Sequence, residues 1–215
     1  LSDMIAVPAM HKDRFGAMRG QGQAEERDWI VVKGNHDRQL PNFLRDPRWI
    51  DPRAAEQKDW IARNSGADTT LASYGVNDAM LRDLDAVHAE ALAAIPADHA
   101  RWLDGLPSWH LTPQALFVHA GIRPGLDLHA QIEDDLLWIR KPFHEDSRDH
   151  GALVVHGHTP VRHPTHYGNR VNIDSGAGHG GPLTAIRLDA EGVWVLGDGP
   201  PRPLRPKTAS GRPAT

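Results

Sequence analysis

Residues 35–37 place three different chemical groups side by side directly after a glycine. They are the amide of Asn35, the imidazole of His36 and the carboxylate of Asp37, and Gly34 precedes them. A glycine lets the backbone turn sharply beside a bound ion or phosphate, an amide oxygen can bind a metal ion, and an imidazole titrates near neutral pH. The pattern indicates an ion-binding or catalytic loop. The alternative, in which Asn35 and Asp37 only form a turn and cap the next helix, stays open.

In two further stretches an apolar run is followed directly by a histidine. Residues 115–118 are apolar and lead to His119, and residues 152–155 are apolar and lead to His156 and His158. A single histidine at such a place usually packs in the interior. Three junctions of this kind, each with a glycine alongside, favour a shared site of metal-binding side chains. Because the sequence contains no cysteine, a metal ion must be bound by His, Asn, Asp and water.

Each of the three junctions lies where a strand is expected to end. Residues 29–32, like the two apolar runs above, are short and stop at small residues, as buried strands do. Residues 77–95 repeat apolar side chains at intervals of three and four, which predicts an amphipathic helix capped by Asn77 or Asp78. The mixture of strands and helices predicts an α/β fold with the site at strand ends.

Composition excludes several functional classes. The 215 residues are 40% hydrophobic and 24% charged, which is typical of one large globular domain. A formal charge of -4 argues against nucleic acid as a partner. No apolar run approaches the roughly 18 residues of a membrane span, so we expect no membrane partner. The absence of cysteine excludes a disulfide framework and fits a cytoplasmic location, although a targeting segment upstream of Leu1 stays open.

Five motifs in a fixed order give the sequence its resemblance to a known family. They are G-N-H-D, F-V-H-A-G-I-R-P-G, L-L-W-I-R, V-V-H-G-H-T-P and N-I-D-S-G-A, between about residues 29 and 188. This set resembles the bacterial phosphoprotein-phosphatase (PPP-like) branch of the calcineurin-like metallophosphoesterases. The resemblance implies two mixed β-sheets packed face to face, flanked by helices, with the site at the carboxyl ends of the strands.

The same resemblance implies a role for each matching residue. Asn35, His119 and His158 would bind two divalent ions, with manganese as first choice and iron or zinc as alternatives. His36 would be the general acid, and Arg140 would bind the substrate phosphate. A hydroxide bridging the two ions would attack the phosphorus. His156 would support the site or pack in the interior, and a ligand role for it stays open.

The chemistry of the Arg140 side chain also favours a phosphate-binding role. A guanidinium presents a rigid pair of donors that suits a tetrahedral phosphate better than an ammonium does. The alternative for Arg140 is a surface ion pair with Asp134 or Asp135, which precede it by a few residues.

Two further family motifs, D-x-H-G and G-D-x-x-D-R-G, are not readable before residue 35. Asp3 is a candidate remnant of the first, and Asp13 with Arg14 a candidate remnant of the second, although Met10 stands where the second motif needs a ligand. We expect that upstream or internal residues are absent from this sequence. The competing explanation is a degenerate protein that lost half of its metal site.

We therefore expect a metallophosphoesterase domain over residues 1–198 with an incomplete N-terminal strand-helix-strand unit. Residues 199–215 are rich in proline and basic residues, which predicts a disordered tail. The expected activity is that of a serine/threonine-type protein phosphatase or related phosphomonoesterase, acting on a phosphorylated protein, a small phosphate ester or a nucleotide. The alternatives are a dinucleoside polyphosphate hydrolase of the same fold and a non-catalytic binding domain.

Overall fold

The computed structural model describes residues 30–55, 57–63 and 65–207. Where the sequence predicts one domain, these residues form two units. The described part of the first unit is residues 30–31 and 35–106, and that of the second is residues 32–34 and 107–207. The division follows the packing, because the buried apolar residues of the first unit form one cluster and those of the second form two others.

The first unit is helical over its described residues. Its α-helices are α1 (Gln39–Arg45), α2 (Ala67–Ser73), α3 (Leu84–Ala94) and α4 (Ala97–Asp104), with a 3₁₀ turn at Ala79–Leu81. Their apolar faces bury a common core that includes Leu40, Phe43, Leu71, Val87 and Leu103.

The helix predicted over residues 77–95 is shorter than expected. Asp78 adopts a left-handed conformation with φ 55°, and Asp83 is extended, so the chain between them forms only the 3₁₀ turn and the α-helix starts after Asp83. The cap predicted at Asn77 or Asp78 is instead Asp83, whose carboxylate accepts the Ala86 N–H. Leu81 is 87% exposed because it precedes the break and does not share the buried face of α3.

The second unit contains a five-stranded mixed sheet in the order β1-β2-β3-β5-β4. β2, β3 and β5 are parallel, while β1 and β4 pair antiparallel at the two edges. The strands are β1 (Trp109–Leu111), β2 (Ala115–Val118), β3 (Leu153–His156), β4 (Thr165–His166) and β5 (Arg170–Asn172).

A second, antiparallel sheet is formed by β6 (Ala185–Asp189), β7 (Gly192–Leu196) and β8 (Arg202–Pro203). Val155 and Val171 of the main sheet share a buried cluster with Val193 of this one, so the two sheets pack face to face as expected. The second sheet differs from the expectation only in being antiparallel throughout.

Alternation along the strands builds the two sides of the main sheet. Ala115 and Phe117 of β2 join the cluster between the sheets, whereas Leu116 and Val118 join the opposite cluster. Successive side chains of a strand point to opposite faces, which explains the division. The opposite cluster is covered by α5 (Glu133–Trp138) and α6 (Lys141–His144), through residues such as Leu136 and Phe143.

Two sequence expectations need correction. Residues 30–32 are not in a strand, although they were expected to be: the Lys33 N–H donates to Pro107 O at 2.8 Å, but residues 30–32 have no ladder with any neighbour in the described part of the chain. An apolar run makes a strand only where a partner strand pairs with it. The expected disorder does not hold over residues 199–207, because β8 pairs with β7 and Lys207 N–H donates to His166 O at 2.9 Å. Residues 208–215 lie outside the described residues.

None of the helices in the described part of the chain is long and apolar enough to cross a membrane.

Candidate active site

The parallel strands of the main sheet end at one edge. β2, β3 and β5 run in the same direction, and His156 at the end of β3 lies opposite Asn172 of β5. Open α/β sheets bind their ligands at the carboxyl ends of such strands. His119 follows β2 at this edge, and its carbonyl accepts the N–H of Gly157, which follows β3, at 2.8 Å.

His119 and His158 face each other at this edge. Nε2 of His119 and Nδ1 of His158 are 3.1 Å apart, and the indole of Trp138 lies edge-on to His158 with ring centroids 5.5 Å apart. Two imidazole nitrogens bound to one metal ion at about 2.0–2.1 Å lie roughly 3.0–3.4 Å apart. The structure thus brings these two predicted residues together with a spacing that fits two ligands of one ion. Their role as ligands stays a prediction.

His158 occupies a strained turn. Its φ is 64°, and the Thr159 N–H donates to Gly157 O across it at 2.7 Å. A three-residue turn closed by such a bond at positive φ is rare for a residue with a side chain, and strain of this kind concentrates at functional sites. Gly157 itself has little room for a side chain, because a Cβ there would lie 3.3 Å from Cβ of Asp174.

His156 is held in the interior behind this turn. Its side chain is 2% exposed, and its ring packs against Phe143 with centroids 5.1 Å apart. Nδ1 lies 3.2 Å from Gly157 O, and Nε2 lies 3.1 Å from Nη1 of Arg170. Burial, followed by the charge of Arg170, lowers the His156 pKa to about 3, so the ring is neutral at physiological pH.

In the first unit, residues 35–38 form a turn before α1. The alternative that Asn35 or Asp37 caps this helix is not supported, since the residue at the N-cap position is Arg38 and makes no side-chain capping bond. Asn35 is 3% exposed, and Nδ1 of His36 lies 3.2 Å from Ser65 O. Because a carbonyl can only accept, Nδ1 of His36 carries a proton in this contact.

A buried ion pair holds this loop and was not predicted from the sequence. Arg38 donates to Asp51 through Nε at 2.9 Å and Nη2 at 2.6 Å, and Gln39 Nε2 donates to the same carboxylate at 2.9 Å and to Asn35 O at 3.2 Å. Burial acts to raise the Asp51 pKa, but hydrogen bonds from Arg38 and from the Arg53 N–H outweigh it and lower that pKa. The only sequence signal is an arginine directly after G-N-H-D.

Arg140 lies between α5 and α6, and its side chain is exposed. The expected alternative, an ion pair with Asp135, is wrong for that carboxylate, because Arg123 donates to Asp135 through Nε at 2.6 Å and Nη2 at 2.8 Å. Asp135 is only 1% exposed, so Arg123, which was not selected as a site residue from the sequence, stabilises a buried charge. The Arg140 guanidinium lies close enough to His144 to contribute to lowering its pKa, after burial and Arg170.

The remaining candidates cannot be placed. Asp3, Asp13 and Arg14 lie outside the described residues, and their part in the site stays a prediction. Within the described ranges, no group of three or more His, Asp or Glu side chains is close enough to hold a metal ion. Among the described residues, the predicted ligand set is therefore represented at this place by the pair His119 and His158 alone. The convergence of Asn35 with this pair stays a prediction.

The main sheet stacks on a second sheet, and a histidine pair lies at the ends of its parallel strands. This arrangement is that of the metallophosphoesterase fold. A crystal structure of a candidate diadenosine tetraphosphatase shares the fold, with a TM-score of 0.51 and 18% identity over 87% of this chain and 72% of that one. No family model matches the chain.

Sequence similarity to curated proteins shows which metallophosphoesterases this chain resembles. The chain is 29% identical over 177 residues to the asymmetrical bis(5'-nucleosyl)-tetraphosphatase PrpE of Geobacillus thermodenitrificans, covering 73% of this chain and 61% of that protein. It is 47% identical over 139 residues to PrpE of Bacillus thuringiensis, covering 57% of this chain and 52% of that protein. The chain thus spans between about half and three fifths of these relatives. These similarities confirm the resemblance to the bacterial PPP-like branch of the calcineurin-like metallophosphoesterases.

Proposed function

We propose that this chain belongs to a metal-dependent hydrolase of dinucleoside polyphosphates. The observation that carries the proposal is the His119–His158 pair, 3.1 Å apart at the ends of parallel strands, with His158 in a strained turn. Strain is maintained only where the surrounding structure enforces it, and a turn that aims one imidazole at another has little value for packing alone. Nitrogen ligands without thiolate suit manganese, iron or zinc, and we propose manganese.

Each residue then has a defined task. His119 and His158 would hold a divalent ion, with Asn35 as a further oxygen ligand. Bound divalent ions would lower the pKa of a water molecule and screen the charge of the phosphate chain. Arg140, exposed and carrying a rigid donor pair, would bind phosphate oxygens next to the scissile bond.

The bond changes are those of hydrolysis. A water oxygen forms a bond to phosphorus and its proton passes to the solvent, while the bond from that phosphorus to the bridging oxygen breaks. The leaving oxygen takes a proton from His36, whose Nδ1 is tied to Ser65 O, so the transfer would occur at Nε2. Asymmetrical cleavage of a tetraphosphate bridge yields a nucleoside triphosphate and a nucleoside monophosphate.

Both PrpE relatives are named for a dinucleoside tetraphosphate substrate, and neither is named for a phosphoprotein. This supports the dinucleoside polyphosphate alternative over the protein phosphatase that the motifs first favoured. The substrate remains a proposal, because the chain spans only 61% and 52% of those relatives.

The test is a product analysis with diadenosine tetraphosphate and, in parallel, a serine-phosphorylated peptide. With Mn²⁺ present we expect ATP and AMP in equal amounts, slow release of phosphate from the peptide, and loss of both reactions with a chelator. His158→Gln is the control for a contaminating hydrolase. Two molecules of ADP would contradict asymmetrical cleavage, and faster turnover of the peptide would restore the protein phosphatase. No turnover of either substrate would favour the alternative that the chain is a non-catalytic binding domain.

A further inference from the structure

The turn that carries His158 is anchored on both sides by side chains of the sheet. Gly157 O accepts from two directions, from Thr159 N at 2.7 Å and from Nδ1 of His156 at 3.2 Å. On the far side of His158, Thr159 O accepts from Nδ2 of Asn172 at 2.9 Å. A residue at positive φ relaxes unless its flanking peptide groups are fixed, so these contacts have a defined mechanical role.

Arg170 determines which nitrogen of His156 can donate. Nη1 of Arg170 lies 3.1 Å from Nε2 of His156, and a guanidinium can only donate hydrogen bonds. Nε2 must therefore be the acceptor. The proton of a neutral ring then resides on Nδ1, which is the atom facing Gly157 O. Reversing the tautomer would place a donor against Arg170 and a lone pair against a carbonyl, so both contacts would be lost together.

Arg170 is itself fixed. Its side chain is 6% exposed, its Nη2 donates to His144 O at 3.0 Å, and its guanidinium lies 3.7 Å from the ring centroid of Tyr167. An arginine stacked on an aromatic ring with its donors committed loses little further freedom on binding His156. The direction of the donated hydrogen bond is therefore set by the fold rather than by a flexible surface group.

We propose that Arg170 and His156 are positioning residues for His158, acting in sequence through the Gly157 carbonyl. Arg170 holds His156 in the tautomer with the proton on Nδ1, and His156 holds the strained turn that presents Nδ1 of His158 to His119. The value of that presentation for metal binding rests on the proposed function. The chain of hydrogen bonds from Arg170 through His156 to the Gly157 carbonyl, called the clamp below, does not rest on the proposed function. It is testable without metal.

The experiment uses four variants of the full chain. Arg170→Met removes the donor and keeps much of the bulk. His156→Asn keeps an amide donor at the place of Nδ1 but loses the acceptor for Arg170, and His156→Gln does the reverse. Arg187→Met changes a half-exposed arginine on β6 of the same unit and is the matched control. The readouts are the ¹⁵N shifts of the His156 ring, the hydrogen exchange of the Thr159 amide, and the affinity for Mn²⁺.

In the wild type we expect the Nδ1-protonated tautomer. Arg170→Met should mix the two tautomers and speed Thr159 exchange by about tenfold, equivalent to one net hydrogen bond. His156→Asn should keep Thr159 protected, and His156→Gln should not. If Arg170→Met does not fold, the Asn and Gln pair decides the test, because a purely structural role would affect both alike.

The Mn²⁺ measurement separates the two proposals. A wild type that binds Mn²⁺ should lose about 10- to 100-fold in affinity on Arg170→Met, as when an outer partner of a ligand is removed, with no change in Arg187→Met. A wild type that binds no Mn²⁺ would contradict the proposed function. The tautomer and exchange results would then decide by themselves whether Arg170 and His156 hold the turn. An Nε2-protonated His156, or equal Thr159 protection in His156→Asn and His156→Gln, would overturn the clamp.

Discussion

Nε2 of His119 lies 3.1 Å from Nδ1 of His158, although the two residues are 39 positions apart in the chain. The contact arises because β2 and β3 are parallel neighbours, so that the residues following them emerge at the same edge. Without an ion, such a pair can share one proton in a hydrogen bond. With an ion, both nitrogens offer lone pairs to it, which is why the spacing matters.

Replacing either His119 or His158 with glutamine should weaken Mn²⁺ binding by at least about 100-fold, beyond what the loss of an outer partner costs. An amide can bind a metal only weakly compared with an imidazole. Isothermal titration of the wild type and both variants measures the change. His163→Gln, an exposed histidine of the same unit, should bind as the wild type does. Unchanged affinity in the first two variants would refute the metal site.

Replacing His36 with asparagine should lower turnover by roughly 10²- to 10⁴-fold, as expected for loss of a general acid. Metal affinity should be nearly unchanged. The loss should be smaller for aryl phosphates whose leaving group barely needs a proton, because protonation then contributes less to the transition state. Steady-state rates across a series of leaving groups test this. The same loss for every leaving group would mean that His36 has another role.

Arg140→Ala should reduce kcat/KM strongly while changing the free energy of unfolding by less than about 1 kcal/mol, because the side chain is exposed. Lysine should restore only part of the activity, since it cannot bind two oxygens in one plane. Kinetics and denaturant melts of both variants provide the measurement, with the neighbouring exposed Lys141→Ala as control. Normal kinetics with a large loss of stability would show a structural ion pair instead.

Asp51→Asn should destabilise the protein by about 3–5 kcal/mol, because it removes the charge of the buried carboxylate to which the Arg38 guanidinium donates two hydrogen bonds. The side chains of Arg38 and Asp51 are 7% and 0% exposed. Asp85→Asn breaks an ion pair with Arg48 in which both side chains are 63% exposed, and it should change stability little. Urea melts of the two variants give the comparison. Similar small losses in both would mean that the buried pair contributes no more than a surface one.

Stability should fall as the pH is lowered from 7 to 5. Burial lowers the pKa of His144, His150, His156 and His166 in the folded protein, so the unfolded chain takes up protons first, below its ordinary pKa of about 6.5. For His156, whose folded pKa is about 3, a proton taken up only on unfolding costs about 1.4 kcal/mol per pH unit below the unfolded pKa, and the less buried histidines contribute less. Urea melts at pH 7, 6 and 5 should show this slope, and His156→Gln should flatten it. A slope unaffected by that variant would count against a buried neutral His156.

The sequence by itself determined the local features. Apolar runs that stop at a histidine beside a glycine identified β2 and β3. These strands could be predicted because the pattern of apolar residues and the turn that ends it both depend on neighbouring residues. It also marked His119 and His158 as candidates. It failed at residues 30–32, where the same apolar signal has no partner strand among the described residues, and at the start of α3, where Asp83 rather than Asn77 or Asp78 caps the helix.

Only the tertiary structure decided which charged groups meet. Arg38 with Asp51 and Arg123 with Asp135 are separated by 13 and 12 residues, and nothing in their spacing distinguishes them from other pairs. The positive φ of His158 was equally hidden, because a histidine rarely adopts it and neighbouring residues alone would not maintain it. Such a conformation persists through contacts made by His156 of β3 and Asn172 of β5, which the chain brings together only when the sheet forms.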